Sequence, residues 1–467
     1  MVLAAINRAL SPCSKLAIGD WYEQTVLRRL WRFRKKEFSS QRFWDHMDMV
    51  SEEVIDVVQD KLVRPIQQTF GLDGKVLLYD TTNFFTFLAT TNDRCEVAQR
   101  GHSKAKRHDL RQVGLALLVT RTFQVPLFHR TYPGNVPDVS LFPKLAKELI
   151  VRHHRASKSS EAATPVFDKG NVSDNAMERL VVSGSHFVAA LGANRASKLL
   201  AIPLDEFQPI PEYPGTRTAT TETTIWSKDC RVVVVYTESF FTQQLSGVTH
   251  NLVKCQKKLM DLEKSLRRRR QGKARGKRPT LAQVRRSVRG ILAPQFMKDL
   301  FSITIAEERG LPSLRYALDH EALDRLSHER LGRTVLITDH LDWTPKEIIA
   351  AYRSLTAIEE TFKNMKSVDF LRWQPAFHWT EQKVKVHAFY WVLALLLATL
   401  ARKVVVQAGI DLSLPALLKE LTAIREVAVL YPPGTLAHRK DHIALSRMTP
   451  RQKKIAECLK IADILGR

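Results

Sequence analysis

The sequence predicts an α/β fold: a mixed sheet with helices on both faces, broken by a long insertion and flanked by helical ends. Three observations carry this. Two short apolar runs, KVLLYD and TPVFD, each end in an aspartate and alternate with a hairpin and a helix. The alternation stops after HFVAALG (His186 to Gly192) and resumes only at RTVLITD (Arg333 to Asp339). The longest apolar run, Ala388 to Ala401, covers 14 residues, which is short for a bilayer crossing and reads as a buried helix backing the sheet.

Composition narrows the class. At 467 residues and 44% hydrophobic content the chain can bury a large core in two or three domains. Its 72 Lys and Arg against 48 Asp and Glu leave a net charge of +24, which points to a polyanion, most simply nucleic acid. MVLAAINRAL lacks the charged start and cleavage site of a signal peptide, so a cytoplasmic protein with no membrane partner is expected. The five cysteines are scattered without a CxxC pair, which suits a reducing compartment and offers no zinc site.

Residues 1–70 read as a helical, basic N-terminal region. VLRRLWRFRKKEF (Val26 to Phe38) spreads six cations around a helix, as a DNA-contacting arm or a solvated face would, and Ser39 and Ser40 offer the next N-cap. Residues 71–192 hold the first part of the core. KVLLYD is a buried strand with Asp80 at its carboxyl end, Gln112 to Thr120 and Val125 to Tyr132 form a hairpin, and Leu141 to His153 is an amphipathic helix. TPVFD then repeats the strand-and-aspartate pattern with Asp168, and Ser173 caps the following helix. In a mixed α/β sheet, sites form at the carboxyl ends of strands, where both aspartates fall. A lone strand-end aspartate is more often a turn or cap residue, and Asp138 and Asp174 have that character.

Residues 193–331 change texture and read as a β-rich insertion. Thr216 to Tyr236 is rich in Thr and Val. A long helix from about Gln243 runs into SLRRRRQGKARGKR, read as a flexible loop because of Gly272 and Gly276. Its cations (Arg267, Arg268, Arg269, Arg270, Lys273, Arg275, Lys277 and Arg278) are candidates for phosphate contact or a solvated linker. Residues 332–402 complete the core, and residues 403–467 form a helical C-terminal region.

The core's last helix spans Thr344 to Ser367. Thr344 and Glu347 are placed for a capping box around Pro345, and from Lys346 to Ser367 there is no Gly or Pro to interrupt the helix. At about 100° per residue, Tyr352, Glu359, Lys363 and Lys366 fall within about 60° of one another, beside an apolar stripe. Glu360 lies about 100° round from Glu359. A solvated charge face would give the same pattern. Two strand-end aspartates and this helical glutamate are the oxygen ligands that Mg²⁺ prefers. His387, by contrast, reads as packed in its helix.

DTTN at Asp80, FDKGNVSDN around Asp168 and YRSLTAIEETFKNMKS around Glu359 resemble the DDE transposases of bacterial insertion sequences, most nearly the branch with the Tyr-Arg-Glu-Lys signature. Tyr352, Glu359 and Lys366 keep the signature's spacing, and Leu355 stands in the arginine slot. The likeness continues through TYPGNVPD (Thr131 to Asp138) and RWQPAFHWTEQKVKVHAF (Arg372 to Phe389), covering most of residues 75–402. It implies a ribonuclease-H-like core and cut-and-paste transposition, with two Mg²⁺ ions (Mn²⁺ as substitute) on Asp80, Asp168 and Glu359. It also implies double-stranded DNA partners, with terminal inverted repeats and a target, and a homodimer on the DNA ends. Tyr352, Lys363 and Lys366 would then lie against the DNA backbone. In a hairpin route, Trp226 would be a candidate to receive an unstacked base; a packed edge-strand Trp is the plainer reading. Two rivals stay open: a nuclease or resolvase on the same core, and a silent relative that only binds DNA, which Leu355 favours.

Overall fold

The computed structural model describes every residue except 102–106, 158–160, 274–277, 309, 368, 430–441 and 466–467. The chain divides into two compact units: residues 1–189, 226–228 and 350–467 in one, residues 190–225 and 229–349 in the other.

The first unit opens on helices α1 (Val2–Leu10), α2 (Ile18–Glu23), α3 (Leu27–Trp31), α4 (Ser40–Asp48) and α5 (Glu52–Phe70). The single helix expected over Val26 to Phe38 does not form. Arg32 ends α3 at a positive φ of 56°, and Lys35–Phe38 is a 3₁₀ turn. Like charges all round one helix repel, and the break lets Phe38 pack on Tyr22 with ring centroids 4.4 Å apart. Ser39 caps α4 as expected, its hydroxyl accepting from the Arg42 amide.

Next come strands β1 (Val76–Thr86), β2 (Arg111–Thr120) and β3 (Pro126–Pro133), then α6 (Asp138–Ser157), β4 (Thr164–Phe167), α7 (Asp174–Val182) and β5 (Val188–Leu191). The strand order in this part is β3-β2-β1-β4-β5, with β1, β2 and β3 antiparallel and β4 parallel to both β1 and β5. The succession of strands, hairpin and helices along the chain is the one the sequence predicts. One expectation fails: β1 does not end at Asp80. Pairing with β2 carries it on to Thr86, opposite Arg111, whereas β4 pairs only with Val76, Leu77 and Leu78. Asp80 is therefore mid-strand, just past the point where one neighbour stops.

Alternation along β1 separates two faces. Tyr79 packs edge-on against Phe142 of α6, with centroids 5.0 Å apart. On the other face, Asp80, Thr82 and Phe84 look toward the C-terminal helices.

The chain then runs through α8 (Ser197–Leu200), β6 (Gln208–Pro209), β7 (Thr216–Ile225), β8 (Lys228–Thr237), α9 (Glu238–Arg270), α10 (Leu281–Ile291), α11 (Met297–Leu300), β9 (Phe301–Glu308), β10 (Leu311–Leu318), α12 (His320–Glu329), β11 (Arg333–Thr338) and α13 (Pro345–Arg353). Here the order is β11-β8-β7-β6, with β9 and β10 a separate hairpin. The insertion is not β-rich as expected: α9 alone runs 33 residues. Val248, Cys255, Leu259 and Leu266 recur at helical spacing and are buried in one core with Val284, Leu300 and Leu314. Burial of Leu266 holds α9 helical past Ser265, so Arg267 to Arg270 form its last turn and are not loop.

The final stretch holds α14 (Leu355–Met365), α15 (Glu381–Gln407), α16 (Leu414–Ala423), the hairpin β12 (Glu426–Val429) and β13 (His442–Leu445), α17 (Pro450–Cys458) and α18 (Ala462–Leu465). With 27 residues, α15 is long and apolar enough by length and composition to cross a membrane. Its apolarity has another use here. Trp391 packs edge-on against Phe84 of β1 at 4.4 Å and Phe389 stacks on His129 of β3 at 6.1 Å, so α15 backs the sheet as expected. Each large side chain so buried contributes about 1.5–3 kcal/mol.

Candidate active site

The two aspartates come together through strand register. Leu78 of β1 pairs with Val166 of β4 in parallel. The pairing ends there, and the same register carried on by two residues brings Asp80 level with Asp168, each two positions past the last paired residue of its strand. Asp168 keeps the extended conformation (φ −77°, ψ 161°) before the chain turns into the 3₁₀ segment Lys169–Asn171. Asp80 is half-buried, and its Oδ1 accepts from the Thr81 amide at 2.7 Å. Asp168 is exposed. Pairing of β4 with β1 stops at Val166 opposite Leu78, before either aspartate.

The helix that faces them is capped as predicted. The Thr344 hydroxyl accepts from the Glu347 amide at 3.3 Å, and the Glu347 carboxylate accepts from the Thr344 amide at 2.8 Å. It is not, however, one helix. Ser354 sends both its amide and its hydroxyl to the Ala351 carbonyl, an i−3 contact that replaces the i−4 ladder and splits α13 from α14. Tyr352 therefore ends α13 while Glu359 sits on α14.

Tyr352 ties the pieces together. Its hydroxyl donates to Asp168 Oδ1 at 2.6 Å. Burial, then the hydrogen bond to Asp168, then the negative charges of Asp168 and Glu359 push its pKa far above the ordinary phenol value. The phenol stays protonated and is a fixed donor. Glu359 is exposed and near enough for its charge to act on that hydroxyl.

Lys366, just past α14, donates to Thr82 Oγ1 at 2.7 Å, and its ammonium lies 5.2 Å from the centre of the Phe84 ring. Lys363 leans elsewhere: it pairs with Glu360 at 3.5 Å, both side chains well exposed. Leu355 is half-buried at the start of α14.

Of the basic cluster, Arg267 and Arg268 are exposed, and Arg267 lies 3.9 Å from Glu263. Arg270 is mostly engaged, donating to the Pro312 carbonyl at 3.0 Å and facing Glu308 at 3.6 Å. Arg269 is half-buried; Lys273 and Arg278 are exposed; Arg275 and Lys277 lie outside the described residues. Cations at a helix C-terminus are favoured by its carbonyl dipole, so part of this cluster serves α9 itself.

Trp226 is at a tight turn with φ 52°, not on an edge strand. Its indole donates to Asp174 Oδ1 at 2.8 Å and packs edge-on against Phe187 at 6.1 Å. Asp174 thus opens α7 and also anchors this turn, a partnership that local spacing cannot reveal. Thr82, the partner of Lys366, was equally invisible; only its place two residues beyond Asp80 on the same face could have marked it.

Asp80 and Asp168 are hard oxygen donors of the kind a divalent cation takes. Among the described residues no group of three or more His, Cys, Asp or Glu is gathered to hold a metal ion. The aspartate pair fits an ion in kind, and the third carboxylate, Glu359, stands outside that pair.

No family model matches this chain, and no curated protein matches it. Among solved structures it is similar to the piggyBac transposase synaptic complex with hairpin DNA, determined by cryo-EM, at 9% sequence identity and a TM-score of 0.38. That match covers 90% of this chain and 68% of the other, and a likeness so low says nothing of mechanism.

Proposed function

We propose that this chain is a DNA transposase that cuts and joins DNA ends by metal-dependent phosphoryl transfer at Asp80, Asp168 and Glu359. The observation that carries the reading is the Tyr352–Asp168 hydrogen bond, supported by a β1–β4 register that, carried on by two residues, brings Asp80 level with Asp168. A net charge of +24 supplies the attraction for a polyanion. Asp80 and Asp168 would hold the ions, with Glu359 closing the set. When bound, two Mg²⁺ or Mn²⁺ ions supply an activated water or 3′-hydroxyl and charge stabilisation at the leaving oxygen.

The chain's own residues do the rest. Tyr352, kept protonated, donates to one oxygen of Asp168 and leaves the other for a ligand, fixing the carboxylate's orientation. Lys366 sets a cation beside Thr82 on the face that bears Asp80, where it can take a phosphate of the strand being cut. A DNA-binding protein that does not cut has two observations in its favour: Leu355 in the signature's arginine slot, and no described three-acid group.

The test uses DNA flanking the gene as labelled fragments, incubated with the protein and Mg²⁺ or Mn²⁺ beside Asp80→Asn and Glu359→Gln. Cuts at one boundary, lost in both variants and without metal, are the expected result. Binding with no cut in any condition would hand the case to the silent reading.

A further inference from the structure

We infer that the loop between α14 and α15 presents Phe377 and Trp379 as a stacking platform for unpaired nucleobases. The inference rests on the reading of this protein as a DNA-processing enzyme and adds a second contact, outside the acids, for a frayed or single strand.

Both aromatics stand out of the surface: Phe377 is 70% exposed and Trp379 58%, while His378 between them is buried. Exposed-buried-exposed alternation marks extended chain, in which residues two apart share a face about 6.6 Å apart. That is close to twice the roughly 3.4 Å rise between stacked bases, a spacing compatible with bases stacking on both rings. Large aromatics exposed together call for a partner.

The loop is also held stiffly. Arg8 of α1 is buried, and its guanidinium donates to the carbonyls of Arg372, Gln374 and Pro375 at 3.2, 2.8 and 3.0 Å. On the far side, the Trp379 carbonyl accepts from Asn92 Nδ2 at 3.0 Å, and the Glu381 amide donates to the Arg94 carbonyl at 2.9 Å. A buried arginine spent on holding carbonyls pre-orders the backbone of this loop, which lowers the entropy cost of binding on it.

Position and charge select the occupant. The Trp373 indole donates to the Phe85 carbonyl of β1 at 3.1 Å, so the loop meets the strand five residues beyond Asp80, about 16 Å along it. Lys366 lies between, over Phe84, and Arg94 is exposed beside the platform. A strand lying across the acids reaches the aromatics within a few nucleotides, with cations along its backbone and rings for its bases.

The test is fluorescence anisotropy of the full chain with a short labelled oligothymidylate and with a blunt duplex of equal length, in EDTA. Trp379→Ala and Phe377→Ala should each weaken oligothymidylate binding about tenfold or more, with duplex binding changed less than about twofold. Trp379→Phe, which keeps a ring, should retain most of the affinity. Equal losses on both DNAs, or no loss on either, would overturn the platform. So would self-association that Trp379→Ala abolishes while oligothymidylate binding stays, since that makes the patch a contact between copies. Because no metal is present, the result does not depend on whether the acids cut.

Discussion

Two groups of arginines, one in each unit, show how little a cation's presence in the sequence says about its work. In the first unit, Arg130 of β3 meets Glu52, Asp56 and Glu148, and Arg152 of α6 pairs with Asp56 at 2.7 Å and Asp60 at 2.9 Å. Both arginine side chains are nearly buried, at 13% and 10% exposure. In the second unit, Arg267 and Arg268 end α9 in solvent. The buried pair spends its charge inside the fold, joining α5, α6 and β3. The exposed pair has one loose acidic partner, Glu263, 3.9 Å from Arg267. The teaching is that acids must be counted around each cation before a basic segment is read as a polyanion site.

The largest effect should come from breaking the buried side. Arg130→Ala takes away the cation of Glu148, while Asp56 keeps Arg152 and Glu52 keeps Lys385, and urea unfolding should show a loss of about 2 kcal/mol, short of the fully buried value because those acids are about a third exposed. An unchanged midpoint would make Arg130 as dispensable as a surface cation.

Acid should reach the same region next. His129 is buried, and that burial, with Arg130 and Arg152 nearby, lowers its pKa to about 3; burial lowers that of His153 to about 4. In the unfolded chain both titrate near 6.5. Between those values the unfolded state binds protons that the folded state refuses, so stability is full above about pH 6.5 and falls as pH drops. The slope is up to about 1.4 kcal/mol per pH unit for each histidine. Denaturation midpoints from neutral to mildly acid pH would measure it, and His129→Gln should lower the slope by about one histidine's share.

The smallest change in stability should come from the exposed side. Arg267→Gln with Arg268→Gln should move stability by less than about 0.5 kcal/mol. If these cations contact phosphate, the slope of log affinity against log salt should fall by about 2 on duplex DNA. A flat response would leave them as caps of α9.

Where the sequence was legible, a local rule decided the outcome. Apolar runs mark out β1 to β5 in order, Ser39, Ser173 and Thr344 cap the helices expected of them, and the Arg121–Gln124 turn takes positive φ at Phe123 and Gln124. Where it was not, a distant partner decided. TTNFFT reads as a break after Asp80, yet β2 pairs with all of it. SLRRRR reads as loop, yet Leu266 finds a core. The Tyr352–Asp168 bond spans 184 positions, and the site's geometry depends on it. Ser354 is a local matter that propensity alone underrates, since serine in mid-helix competes for a backbone carbonyl.

Arg8 has a consequence for how the protein is made. Its carbonyl partners lie 364 to 367 positions downstream. At roughly 5–20 residues per second of synthesis, α1 waits about 20–70 s before the loop that it organises leaves the ribosome. Leu3, Ala4 and Ala5, buried in the finished fold, have no lasting cover from that loop or from α15 until then. The aromatic loop is therefore among the last surfaces of the first unit to take shape, and a nascent chain can gather charge along its length well before it can grip a base.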